Sequence, residues 1–157
     1  MIQEKLYGQY PGSLSIHVQN KIQVMSEEEI FMHSLEQDIQ KSKPEQINVS
    51  VVALRENEND EISFIDKIVK EDIIRKTKNY KEYSFTQNGK KYYYCYSVDM
   101  DSFVFDFEIR KLETYIKTIK DENPECDLEY SAVLIPRDSS EIDEIKLRLN
   151  NFSKGDM

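Results

Sequence analysis

The residues in this chain best suited to chemistry are two aspartates separated by one residue. Asp99 and Asp101 follow an apolar strand-like run and precede a helix-like run, and Glu108 lies about two helical turns further on. Carboxylates in such a place bind Mg²⁺ in phosphoryl-transfer enzymes, where water and a substrate phosphate complete the coordination. One hypothesis is therefore a Mg²⁺-dependent phosphoryl-transfer enzyme or nuclease that uses the Asp99/Asp101 pair, with Glu108 as a third ligand.

The segment CYSVDMDS, residues 95–102, resembles the first motif of haloacid-dehalogenase-like phosphatases. The resemblance implies a doubly wound parallel sheet, whereas the strand in front of this motif is half of a predicted hairpin. Aspartate is also preferred in turns and ahead of helices, where it faces the positive end of the helix dipole. We therefore assign Asp99 and Asp101 to a turn before a helix capped near Ser102, and keep metal binding as the alternative.

Other catalytic groups are scarce in the sequence. His17 and His33 are the only imidazoles, Cys95 and Cys126 are the only thiols, and there is no GxSxG, HExxH or glycine-rich phosphate loop. The four residues also lack the spacing of a structural zinc module. We expect a protein without a cofactor and without enzymatic activity.

The elements that would hold these residues are organised around a predicted hairpin, residues 82–101. Asn88 and Gly89 separate two runs of β-forming residues, and both central positions of a type I′ turn need positive φ. With the turn there, Tyr93 lies on the less aromatic face of the ribbon. The more aromatic face carries Tyr83, Phe85, Tyr92, Tyr94, Tyr96 and Val98.

The rest of the chain alternates strand and helix patterns. Residues 47–54 and 128–135 are apolar runs typical of strands, and a stripe from Ile62 to Ile73 predicts a helix ending near Lys78. A second helix is predicted by the repeat of Phe105, Ile109, Leu112, Ile116 and Ile119. The sequence therefore predicts an α+β fold, with residues 47–135 as a split βαβ (ferredoxin-like βαββαβ) antiparallel sheet. A strand and helix extend it at the N-terminus, and a helix capped near Ser139 and Ser140 follows it.

Length and charge limit the classes of protein. At 157 residues we expect a single domain, 1–157, with flexible ends at 1–12 and 153–157. A net charge of -9, from 30 acidic and 21 basic residues, disfavours nucleic acid as a partner. No apolar run approaches the roughly 20 residues that span a bilayer, and the N-terminus lacks the pattern of a signal peptide. We expect a cytoplasmic protein that binds no membrane, and the Ile, Lys, Asn and Glu bias suggests a bacterial or phage source.

By elimination, the sequence favours a non-enzymatic, acidic protein-binding domain. The size and charge fit an inhibitor, immunity or anti-defence protein that neutralises another protein, and the oligomeric state stays open. We expect Tyr93 to be exposed and to contact the partner. A solvated acidic loop would steer a basic partner toward it, through Glu56, Glu58, Asp60 and Glu61.

Overall fold

A computed structural model of the protein describes residues 15–18, 21–59 and 61–153. These residues form six strands and four helices. In chain order they are β1 (Ser15–Val18), β2 (Lys21–Val24), α1 (Glu27–Ser42), β3 (Val49–Asn57), α2 (Phe64–Lys70), β4 (Asn79–Gln87), β5 (Lys90–Val98), α3 (Ser102–Glu122), β6 (Glu129–Ile135) and α4 (Ile142–Leu149). The prediction of an α+β fold is confirmed.

The main sheet has four strands in the order β4-β5-β3-β6, and every neighbouring pair is antiparallel. The predicted strand after residue 47 and the second strand of the hairpin are therefore central, as the apolar runs indicated. Strands β1 and β2 pair with each other in a separate two-stranded antiparallel sheet.

The hairpin between β4 and β5 forms with the predicted turn and register. Asn88 and Gly89 have φ values of 54° and 75°, and Tyr83 lies opposite Tyr94. Because a shift of one residue would move every side chain to the other face, this register decides which tyrosines face which helices.

Helices cover both faces of the main sheet. The face covered by α1 and α4 carries the more aromatic side of the hairpin, and it packs against Phe31, Leu35, Ile39, Ile145 and Leu149. The face covered by α2 and α3 packs against Ile65, Ile68, Leu112, Ile116 and Ile119. Both sides of the central strand β5 are consequently shielded from water.

Four tyrosines of the described residues are buried, and each donates its hydroxyl hydrogen bond to a carboxylate. The pairs are Tyr93 with Glu82, Tyr94 with Glu28, Tyr96 with Asp38, and Tyr130 with Glu113. Desolvation of the phenol is the main reason that the pKa of all four tyrosines is raised above the ordinary value. The paired carboxylate raises it further, and at Tyr93 the neighbouring Cys95 also contributes.

The helix boundaries follow local hydrogen bonding, with two differences from the predictions. Ser26 and Glu29 form the predicted capping box at the start of α1. Helix α2 ends at Lys70 and not near residue 78, because Asp72 turns into the left-handed region at φ 57°. Helix α4 begins at Ile142, after Glu141, and not directly after the two serines.

The C-terminal segment adds a short pairing to β6. Ser153 and Tyr130 exchange two backbone hydrogen bonds of 2.7 and 2.8 Å. Beside this bridge, the Arg55 guanidinium bonds Glu129 at 2.8 Å and lies 4.2 Å from the centroid of the Phe152 ring. Ser153, predicted to belong to a flexible end, is paired with Tyr130. Residues 1–12 and 154–157 lie outside the described residues.

We predict that the free energy of unfolding falls steeply above about pH 10. The unfolded tyrosine pKa is about 10, and the folded values are raised. At a pH between the unfolded and the folded pKa, the unfolded chain has lost a proton that the folded chain keeps. The contribution of each tyrosine to the free energy of unfolding is therefore full below about pH 10 and decreases as the pH rises. Each buried tyrosine adds about 1.4 kcal/mol per pH unit to this slope.

Denaturant unfolding at a series of alkaline pH values measures the slope. Tyr94→Phe should remove one tyrosine's share of it, whereas Tyr80→Phe, at a side chain 43% exposed, should leave it unchanged. Equal slopes for the two variants would contradict the prediction.

Candidate functional site

Glu56, which the sequence placed in a solvated loop, is buried and only 3% exposed. Its carboxylate accepts hydrogen bonds from the Ser63 hydroxyl at 2.7 Å and from the backbone N–H groups of Phe64 at 3.0 Å and Ile65 at 3.3 Å. These N–H groups belong to the first turn of α2, where no intrahelical acceptor is available. The prediction that Glu56 faces a partner is therefore wrong, because the carboxylate stabilises the start of α2.

The other acids of the loop differ in position. Glu58 and Glu61 are exposed, and Asp60 lies outside the described residues. Ile62 follows them and is 50% exposed, and Asp66 is ion-paired with Lys91 at 2.6 Å. Glu58 and Glu61 remain candidates for charge steering.

Tyr93 does not lie at the surface. Its side chain is 2% exposed within the core that α2 and α3 form with the sheet. Its hydroxyl bonds Glu82, which Lys76 approaches at 3.2 Å. The prediction of an exposed Tyr93 is wrong, because helices cover the less aromatic face of the hairpin as well as the more aromatic one.

The aspartate pair takes up the geometry of a turn and a helix cap. The Asp99 side chain is exposed, its φ is 67°, and its N–H donates to the Asn48 carbonyl at 2.7 Å. The Asp101 carboxylate accepts from the N–H groups of Phe103 at 2.8 Å and Val104 at 3.1 Å. The turn and capping interpretation of Asp101 is confirmed, with the cap one residue before Ser102.

Glu108, the third residue of the metal hypothesis, is engaged on its own helix. Its carboxylate lies 3.5 Å from the Lys111 ammonium. Within residues 15–18, 21–59 and 61–153, no three His, Cys, Asp or Glu side chains are grouped so that they could hold a metal ion.

A depression of about 340 Å³ lies between α1 and α4. Two of its acids already serve the fold, since Glu28 accepts from the Tyr94 hydroxyl at 3.1 Å and Glu29 closes the capping box with Ser26. The Ser26 backbone hydrogen bond is the main reason that the pKa of Glu29 is lowered.

The outer side of α3 presents two exposed aromatic rings. Phe103 is 83% exposed and Phe107 is 55% exposed. Residues four apart on a helix are neighbours on one face, and this face is opposite to the buried side of α3. We call the solvent-facing stripe Phe103, Phe107, Arg110, Thr114 and Lys117 the α3 surface.

The α3 surface carries positive charge in a chain whose net charge is -9. Arg110 and Lys117 are exposed, and neither has an ion-pair partner in the described part of the chain. With Glu113 and Thr114 they line a depression of about 390 Å³. The surface thus combines an apolar end at Phe103 and Phe107 with a basic end at Arg110 and Lys117.

The α3 surface is not among the sites predicted above, although the sequence contains a signal for it. The apolar repeat that predicted the helix includes Phe105 and Leu112 but leaves out Phe103 and Phe107. At 100° per residue, these two rings point away from Leu112. Two phenylalanines outside the core stripe of an amphipathic helix have no internal partner to bury them.

Comparison with known proteins gives a likeness of fold. No protein-family model matches the chain, and no curated protein sequence matches it. The crystal structure of a DGC protein from Thermotoga maritima is similar, with a TM-score of 0.54 over 77% of this chain and 89% of that chain. The two proteins share a fold. At 11% sequence identity the likeness carries no information about activity or partners. None of the described helices is long and apolar enough to cross a membrane.

We predict that Glu56→Ala lowers the free energy of unfolding by about 1 to 3 kcal/mol, because it leaves a hydroxyl and two backbone N–H groups without their acceptor. Glu58→Ala is the matched control at an exposed position nearby, and it should change stability by less than about 0.5 kcal/mol. Urea unfolding of both variants provides the comparison. Similar values for both would mean that the Glu56 carboxylate does not stabilise α2.

Proposed function

We propose that this chain is a non-enzymatic protein-binding domain, of the inhibitor, immunity or anti-defence kind, that neutralises the protein it binds through the α3 surface. The observation that supports this proposal is the exposure of Phe103 and Phe107 on the outer side of a helix whose other side is core. Exposed apolar side chains framed by polar residues are typical of protein contact sites.

The two rings could supply substantial binding energy. Burying a large apolar side chain gains about 1.5 to 3 kcal/mol, and a few such residues commonly dominate the energy of an interface. Both rings are carried by a 21-residue helix, so little backbone would need to become ordered when a partner binds. A preformed aromatic pair is therefore suited to be the centre of a contact site.

Glu58 and Glu61 keep their proposed role in steering a basic region of the partner. They lie beyond the end of β3 that pairs with the start of β5, whereas α3 follows the end of β5. A strand of this length spans roughly 27 Å, so the acidic loop and Phe103 belong to opposite ends of the sheet. The loop would therefore act on encounter and orientation, and not on the contact at α3.

We also propose that residues 47–135 form a split βαβ unit of the ferredoxin-like type. The strand order β4-β5-β3-β6 and the position of α2 and α3 on one face of the sheet support this assignment. A cytoplasmic location and a bacterial or phage source remain proposals from the sequence. The Mg²⁺-dependent alternative has weaker support, since Asp101 caps a helix and Glu108 has an ion-pair partner.

The proposal predicts that Phe103→Gln with Phe107→Gln abolishes capture of a specific partner from a lysate of the native host. Loss of both rings should weaken binding by at least about a hundredfold, since each ring is worth about tenfold or more. Leu147→Gln is the matched control, because Leu147 is also an exposed apolar side chain, at 71%, but lies on α4. Quantitative mass spectrometry of captured proteins measures the effect.

Both variants should keep the melting temperature of the wild type, because exposed substitutions change stability by about 0.5 kcal/mol or less. Glutamine is also a good helix former. The proposal is wrong if the double variant captures the same proteins as the wild type, or if Leu147→Gln loses them equally.

A further inference from the structure

We infer that the element of the partner that docks on the α3 surface is an acidic amphipathic helix. This inference rests on the proposed contact site and adds the chemistry of its occupant. The α3 surface has two phenylalanine rings at one end and two cations further along the same face. An occupant that matches both ends needs apolar residues and carboxylates on one side.

Among the described residues, Arg110 and Lys117 form no ion pair with the acids beside them, although Glu113 lines the same depression. Those on the flanks of α3 are engaged elsewhere: Asp106 accepts from Arg137 at 3.0 Å through both carboxylate oxygens, Glu108 pairs with Lys111, and Glu113 accepts from the Tyr130 hydroxyl. Arg110 and Lys117 therefore remain available to carboxylates of a partner. Asp121, one turn beyond Lys117, ends the basic stretch.

The spacing along α3 favours a helix as the occupant. At 1.5 Å per residue, Arg110 lies roughly 10 Å from Phe103 along the helix axis, and Lys117 roughly 21 Å from it. A second helix packed nearly parallel or antiparallel has the same rise, so apolar residues against the rings, with acids about two and four turns beyond the position that faces Phe103, would match this spacing. About four turns of the partner helix would cover the whole surface.

A second copy of this chain is a poor occupant for the same surface. Two α3 helices packed about a two-fold axis near Arg110 would bring the arginines of both copies together, and like charges in contact are unfavourable. An anionic lipid surface offers the negative charge but not the spacing. The experiment must therefore distinguish binding of a lipid surface from binding of an acidic helix.

The test uses three synthetic 18-residue helical peptides that share one leucine face. Their flanking positions are glutamate, lysine or glutamine, and binding to the full-length, ¹⁵N-labelled protein is followed by NMR. The glutamate peptide should bind at least about tenfold more tightly than the lysine peptide, with shifts centred on residues 103–118, and salt should weaken it. Arg110→Glu with Lys117→Glu should reverse the order, while Lys146→Glu with Arg148→Glu, exposed cations on α4 at the other face of the sheet, should not.

The inference is overturned if the lysine peptide binds as well as the glutamate peptide, if the double reversal leaves their order unchanged, or if no peptide shifts α3. It is also overturned if vesicles of phosphatidylglycerol and phosphatidylcholine bind the chain through Phe103 and Phe107. A host partner that needs the two rings but is indifferent to Arg110 and Lys117 contradicts this inference alone. A host partner indifferent to the rings contradicts the proposed function itself.

Discussion

The burial of β5 on both of its faces is the constraint on which the rest of the structure depends. Tyr93 points to one layer of helices, and Tyr94 and Tyr96 point to the other. A buried phenol hydroxyl without a partner costs about 1 to 3 kcal/mol, so each ring requires an acceptor at its tip. Glu28 and Asp38 meet this requirement on one side, which ties α1 to the strand at two points. Ring contacts strengthen the connection, since Phe31 lies edge-on to Tyr94 and Tyr96 at centroid distances of 4.9 and 5.5 Å.

The same constraint determines what is left at the surface. Leu112, Ile116 and Ile119 of helix α3 pack against the sheet and form the buried stripe of the helix. Phe103 and Phe107 lie outside this stripe and remain exposed. Because their rings stay largely in contact with water, they add less to the stability of the fold than buried rings of the same size would. The exposure of these two rings is the basis of the proposed contact site. Acidic side chains elsewhere are often structural, as Glu56 shows at the start of α2.

Local signals in the sequence predicted much of the fold. Asn88-Gly89 gave the register of the hairpin because positive φ is confined to few residue types, and the capping box at Ser26 gave the start of α1. The end of α2 was missed because the isoleucine pattern continues past Asp72, where the backbone turns, and Ile74 is still buried. The spacing of apolar residues indicates which positions are buried, and buried positions can continue beyond the end of a helix.

The site was harder to predict because exposure depends on the number of layers in the fold. An exposed Tyr93 requires that one face of the hairpin meets water, whereas α2 and α3 cover that face and bury Tyr93. Glu56 resembles part of a solvated acidic run because the donors to its carboxylate, the N–H groups of Phe64 and Ile65, follow it by eight and nine residues. Phe103 and Phe107 could have been recognised from a helical projection alone.

The most direct test of the α3 surface as the contact site is photo-crosslinking in the native host. A photoreactive phenylalanine analogue replaces Phe107 in one variant and Leu147 in another, so that the two probes differ only in the helix that carries them. Binding through α3 predicts a crosslink from position 107 to one protein, and none to that protein from position 147. Crosslinks from position 147 to the same protein, or no specific crosslink from position 107, would contradict it.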